Sequence, residues 1–250
     1  MHACTESAEL GLFTKPAYRL NLEASEHPLI LVCEHASRYI PAPLNDLGLS
    51  SDAAREHIAW DIGALALAEA LSEVLGATLI SANYSRLLID LNRPLHAHSS
   101  IPMQSEVYQV PGNQVLDEAT RQYRREQLFN PFHQRLAQLI ESRQAQGRAV
   151  RVVGIHSFTP VYYGQPRTVE AGVLYARAQS YAQRLIDGLS RHELIVAGNQ
   201  PYTIDPLSDM TVPVHGDARG LDSVLIEVRN DLLRTPEAVQ RWADYLAPLL

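Results

Sequence analysis

The chain has only two cysteines, Cys4 and Cys33, in 250 residues. That is too few for a disulfide framework, and their spacing matches no structural zinc motif. No run of basic residues occurs: 21 Lys and Arg stand against 28 Asp and Glu, for a formal net charge of −7. Without a basic stripe to neutralise a phosphate backbone, the charge balance argues against a nucleic-acid partner, and none is expected. Long apolar runs are missing too. The densest, Leu29–Cys33, falls far short of a bilayer span. Residues 1–20 carry charges and no apolar core of signal-peptide length, so a cytoplasmic protein with no membrane partner is expected. Asn83-Tyr84-Ser85 fits a glycosylation sequon, but nothing else points to secretion. A phosphate-cradling Gly-Lys-Ser/Thr loop, a dinucleotide glycine fingerprint, a Gly-x-Ser-x-Gly elbow and a His-Glu-x-x-His helix are all lacking. His192-Glu193 has no second His to follow it.

What is present is the make-up of a soluble α/β enzyme, with 46% hydrophobic and 20% charged residues. A chain this long buries enough surface to fold without a metal or disulfide. Residues 1–27 read as an N-terminal arm and 28–250 as one catalytic domain. Leu29–Cys33, residues 77–81, 86–91 and 150–155, with shorter runs at 171–175, 194–197 and 223–228, read as strands. Helical periodicity marks 52–75, closed by Gly76, then 117–146 with a bend at Pro131, then 178–190 and the segment opened by Pro236. Residues 92–115 hold Pro94, Pro102, Pro111 and Gly112 without a period, and read as a long surface loop of functional kind. Strands alternating with helices, with no internal repeat, mean a layered α/β domain.

Ligands of open α/β sheets sit at the carboxyl ends of strands, and the polar residues gather there. Glu34-His35, Asp90-Leu91-Asn92-Arg93, His156-Ser157 and the Glu227 to Asp231 stretch each close or follow a strand. His, Asn, Arg and Glu from four separate strand ends are what a metal-assisted hydrolytic site needs: imidazoles for the cation, a carboxylate to take a proton. The bland readings stand beside this one. A strand-end His is often a hydrogen-bonded structural residue, Asp61 could simply favour a helix dipole, and Arg86 and Arg93 could pair with Asp90. Glu227 is the least bland, because a carboxylate among apolar residues of a central strand is costly unless paired or used. Cys33 closes an apolar run and reads as core; a Cys–His pair with His35 or His156 is the minor alternative.

Five ordered blocks carry a resemblance. They are Cys33-Glu34-His35-Ala36-Ser37 with Ile40-Pro41, Trp60-Asp61-Ile62-Gly63, the run SRLLIDLNRP at 85–94, Ile155-His156-Ser157-Phe158-Thr159-Pro160, and Ile226-Glu227-Val228-Arg229-Asn230-Asp231. Together they resemble the N-formylglutamate amidohydrolase family, in the branch called predicted N-formylglutamate amidohydrolases. The family is related to zinc carboxypeptidases and aspartoacylases. The resemblance implies a zinc-carboxypeptidase-like, three-layer α/β/α domain with a mixed sheet. It implies one zinc per chain on His35, Asp61 and His156, with Glu227 as general base. It implies a substrate site of Arg86, Asn92 and Arg93, with His215 and Arg229 as further contacts. The expected substrate is a small carboxylate-bearing N-acyl amino acid of amino-acid metabolism, N-formyl-L-glutamate first. Members that act in histidine breakdown have Ser-Pro-His-Ser-Gly where this chain has Cys-Glu-His-Ala-Ser, which makes Glu34 a rival to Asp61 for the metal. A zinc deacylase or peptidase on another N-blocked amino acid, and a non-catalytic carboxylate-binding protein, are the alternatives.

Overall fold

The computed structural model describes residues 7–250; Cys4 and the first residues of the expected arm lie outside the described residues. In chain order the elements are β1 (Tyr18–Asn21), β2 (Leu29–Cys33), α1 (Ala64–Leu75), β3 (Thr78–Ala82) and the hairpin β4 (Gln104–Ser105) and β5 (Tyr108–Gln109). Helices α2 (Glu118–Arg124) and α3 (Asn130–Ala145) come next, then β6 (Arg151–Phe158) and the hairpin β7 (Val161–Tyr162) and β8 (Gln165–Pro166). The chain finishes with β9 (Ala171–Leu174), α4 (Gln179–Ser190), β10 (Val196–Gly198), β11 (Asp222–Arg229) and α5 (Pro236–Leu246).

A seven-stranded sheet in the order β1-β3-β2-β6-β11-β9-β10 organises the molecule. It is mixed: β1 is antiparallel to β3, and β9 is antiparallel to β11, while β3, β2, β6 and β11 run parallel. Because side chains alternate across a strand, the all-apolar β2 feeds both faces. Leu29, Leu31 and Cys33 join α1, α4 and α5 on one face. Ile30 and Val32 join α3 and the segment 84–91 on the other. The same alternation puts Gly154 and His156 of β6, Leu225 and Glu227 of β11, and Gly172 and Leu174 of β9 on the face away from α1, α4 and α5. Helix α3 covers part of that face. Among the described residues no helix is long and apolar enough to cross a membrane.

Four sequence expectations are corrected. Residues 86–91 form turns rather than a strand: Leu88 N–H donates to Ser85 O, and Asp90 N–H donates to Ser100 O. Their apolar side chains fill the core beneath α3 without any ladder. The helix expected over 52–75 begins only at Ala64. Gly63 before it has φ +83°, and a Cβ there would stand 2.5 Å from Leu233 Cβ, so the chain is held out of helix by a glycine-only turn. Residues 92–115 are not wholly superficial, since Ser100, Val110 and Asn113 are buried. The N-terminal segment is not loose from residue 7 onward. Its Tyr18–Asn21 closes the sheet edge, and Glu9 forms a bidentate ion pair with the fully buried Arg124. The bend at Pro131 is a π-turn over Arg125–Phe129, one extra residue in the helical ladder just before a residue with no N–H to donate.

Candidate active site

His35 and Asp61 leave the end of β2 and the loop after it, tied together by Asp61 N–H donating to His35 O at 2.9 Å. His156 lies on β6 in register with Glu227 on β11. Three ligand atoms, one each from the buried His35, Asp61 and His156, lie within 4.8 Å of one another. Asp61 Oδ2 stands 3.4 Å from His35 Nδ1 and 2.9 Å from His156 Nδ1. Each imidazole has its other nitrogen against a second buried carboxylate: His35 Nε2 on Asp90 Oδ1 at 2.8 Å, His156 Nε2 on Glu34 Oε2 at 2.9 Å. A carboxylate acceptor keeps the proton on Nε2 and leaves the Nδ1 lone pair free for a metal, the usual outer support of a metal histidine.

The Asp-Leu-Asn-Arg block wires this cluster to its surroundings. Asp90 Oδ2 accepts from Arg86 Nε at 2.9 Å and Nη2 at 2.6 Å, while its Oδ1 also accepts the Asn92 N–H. Asn92 Oδ1 accepts the backbone N–H groups of Met210 and Thr211, leaving its side-chain amide as the donor. Arg93 Nη1 donates to Asp209 Oδ1 at 2.6 Å and to Ser208 O. Thr211 Oγ1 donates to Glu34 Oε1, which closes the ring of contacts.

Electrostatics set the charge the cluster wants. Burial raises the Glu34 and Asp61 carboxyls, yet the facing imidazoles outweigh it: Glu34 is held down to about 2 and Asp61 well below the carboxylate range. Asp90 is also held low, with burial outweighed by the Arg86 guanidinium. His156 is driven up well above the imidazole range: burial opposes the charge, but Glu34 and Asp61 favour it more. Glu34, Asp61 and Asp90 are ionised and Arg86 pairs with two of them, so once a metal takes the place of the His156 proton two negative charges remain in a buried place. A divalent cation answers that excess, and two imidazoles with one carboxylate are a borderline-soft donor set that suits zinc. The residues therefore fit a metal ion.

A cavity of about 520 Å³ opens on this group and is lined by His35, Asp61, His156, Arg86, Asn92, Arg93 and Glu227 among others. Glu227 is buried, and its Oε2 has no hydrogen-bond partner among the described residues. Burial pushes its pKa up to about 7, which suits a group that must take and return a proton near neutral pH.

Two expected substrate contacts lie elsewhere. His215 is stacked on His133, with 2.9 Å between His133 Nδ1 and His215 Nε2, and does not line the cavity. Arg229 is spent on Asp231 and on the carbonyls of Arg167 and Thr168, and does not line it either. Glu34 sits on the Nε2 side of His156, away from the edge that meets Asp61. Sequence reasoning missed Tyr202, Asp209, His57 and Glu106, which also line the cavity. They come from irregular loops, where no periodicity marks a residue as inward.

The family model of N-formylglutamate amidohydrolase matches residues 27–234. A gene product from Agrobacterium tumefaciens of known crystal structure is 43% identical, with a TM-score of 0.91 over 94% of this chain and 93% of that one. An N-formylglutamate amidohydrolase from Ralstonia eutropha JMP134 is 20% identical and shares the fold, with a TM-score of 0.63 over 94% of this chain and 100% of that one. No curated protein matches the sequence. With five motif blocks in order, a family match over most of its length and a 43% identical relative of the same architecture, this chain belongs to the N-formylglutamate amidohydrolase family.

Proposed function

We propose that the protein is a zinc-dependent amidohydrolase that cleaves the amide bond of an N-formyl or other small N-acyl amino acid. The observation that carries the reading is that one cavity holds both the His35–Asp61–His156 group and the unpartnered carboxylate of Glu227. His35, Asp61 and His156 would hold a divalent cation, which when bound would supply Lewis-acid polarisation of the scissile carbonyl and lower the pKa of a water beside it. Glu227 accepts the proton of the attacking water. The water oxygen adds to the carbonyl carbon, the C–N bond breaks, and Glu227 returns the proton to the departing amine nitrogen. Arg93 holds the α-carboxylate through its Nε and Nη2, which donate no hydrogen bond among the described residues, and the Asn92 amide assists. Arg86 holds Asp90 and Asp61 in place, so its part is positioning rather than substrate contact. With an N-formyl substrate the products are formate and the free amino acid.

N-formyl-L-glutamate is the reference substrate, because it gives the family its name. The test is formate release by the purified protein, before and after chelation and after zinc is restored. Release that disappears on chelation and returns with zinc supports the reading. No release from any N-acyl amino acid by protein shown to hold zinc would remove it.

A further inference from the structure

The cavity is short of cations for a dicarboxylate. Four carboxylate residues line it, Asp61, Glu106, Asp209 and Glu227, against two guanidinium residues, Arg86 and Arg93. Arg86 is engaged on Nε, Nη1 and Nη2 by Asp90 and Asp61, and Arg93 keeps one free edge. Of the histidines that line it, His57 stands 2.9 Å from Glu106 and is matched by it, while His35 and His156 belong to the metal group. One guanidinium edge holds one carboxylate, and the α-carboxylate takes it.

The space beside Glu227 is apolar. Side chains two residues apart share a sheet face, so Leu225 is the next residue along β11 on the Glu227 face. Its neighbour across the ladder is Leu174 of β9, and both line the cavity. Gly172, which pairs with Glu227, contributes no side chain. A Cβ there would stand 1.8 Å from Gln200 O, so the segment carrying Pro201 and Tyr202 lies directly on that glycine. Pro201, Tyr202, Tyr162 and Phe158 continue the apolar wall. Arg167 stacks on the rings of Tyr162 at 4.4 Å and Tyr202 at 4.9 Å, and donates to Tyr202 Oη at 3.0 Å, which stiffens the wall without lining the cavity.

We infer that this wall is the side-chain subsite, and that the enzyme prefers N-acyl derivatives of apolar or aromatic amino acids to those of dicarboxylic amino acids. The inference rests on the amidohydrolase reading and narrows its substrate class. A glutamate side chain placed there loses its hydration against Leu174 and Leu225 with no free guanidinium edge to replace it, and lies beside the carboxyl of Glu227. An isobutyl or benzyl group meets neither cost and buries its own surface.

The test uses the zinc-loaded protein and four probes: N-formyl-L-leucine, N-formyl-L-phenylalanine, N-formyl-L-glutamine and N-formyl-L-glutamate. Glutamine matches glutamate in size and lacks its charge. The expected order of kcat/KM is leucine or phenylalanine first, then glutamine, then glutamate, with at least about tenfold between the ends. Formylglutamate turned over as well as the leucine derivative would overturn the inference and leave the hydrolase reading intact. No turnover of any probe would overturn both. Tyr202 is 39% exposed and outside the buried core, so Tyr202→Arg tests the same point in a variant whose core is untouched. Its added guanidinium is expected to raise kcat/KM for formylglutamate relative to formylleucine about tenfold; an unchanged ratio would count against the assigned wall.

Discussion

Glu34 and His156 are joined by a 2.9 Å contact between Oε2 and Nε2, on the ring edge opposite the one that meets Asp61. The Cys-Glu-His-Ala-Ser block thus brings two different groups to the centre: the His35 imidazole of the proposed metal group, and from Glu34 a carboxylate set against the other imidazole. The two acidic rivals for the metal part company on this geometry. Asp61→Ala is expected to abolish stoichiometric zinc binding. Glu34→Gln is expected to retain binding with affinity lowered about 10–100-fold, as when an outer partner of a metal histidine is lost. Zinc titration of both variants checks this, and a reversed pattern would make Glu34 the ligand.

Glu227 has an unpartnered oxygen in the cavity and a pKa raised by burial. Glu227→Gln keeps the shape and removes the proton acceptor. Turnover should fall by roughly 10²–10⁴-fold while zinc content stays at that of the native protein. Loss of zinc in this variant would show a ligand rather than a base.

Arg93 lines the cavity with Nη1 fixed by Asp209 and Ser208, while its Nε and Nη2 donate no hydrogen bond among the described residues. Arg93→Ala should act mainly on KM for carboxylate-bearing substrates, and Arg93→Lys should recover little, because a point charge cannot reproduce the fork. Steady-state kinetics of the two variants decide it; an unchanged KM would remove Arg93 from the substrate site.

The His133–His215 pair makes a prediction for stability. His133 Nε2–H donates to Leu91 O, so His133 Nδ1 is the acceptor and His215 Nε2–H the donor, and both rings are neutral. Burial lowers His133 to about 4 and His215 to about 3. Below the ordinary imidazole value of 6.5 the unfolded chain takes up a proton that the folded one refuses, so stability falls as pH drops from there towards about 4. For His133 alone the loss across that window is about 3 kcal/mol. Denaturant unfolding between pH 7.5 and 4.5 should show a shallower decline for His133→Leu than for the native protein, although the variant is the less stable at pH 7.5. Parallel slopes would mean the pair does not titrate as described.

Arg124 is fully buried, and Glu9 is its only carboxylate partner among the described residues. Glu9→Ala strands a buried guanidinium and should cost about 3–5 kcal/mol. Equilibrium unfolding measures it directly, and a loss below about 1 kcal/mol would mean that water reaches Arg124 once Glu9 is gone.

The strands and helices were legible where burial imposes a period. Leu29–Cys33 is apolar because both its faces are covered, and the stretch 117–146 repeats because one side of a helix packs on the sheet. The segment 86–91 misled for the same reason: it is as apolar as a strand, and its buried side chains pack without a ladder partner. Gly63 held the signal that divides 52–75, since a glycine before an apolar helix marks a turn with positive φ.

The sequence by itself determined the layered α/β class, the one long central helical stretch, and the types of residue that close each strand, because these follow from local periodicity and chain chemistry. Only the tertiary structure decided that both histidines turn Nδ1 inward while Asp90 and Glu34 hold Nε2. Only it decided that Leu174 and Leu225 stand beside Glu227, and that His215 and Arg229 face away. Each of those facts depends on the register of β6, β11 and β9 and on loops up to 177 residues apart, as between Glu34 and Thr211. The direction of a side chain is set by what packs around it, and those neighbours are remote in sequence.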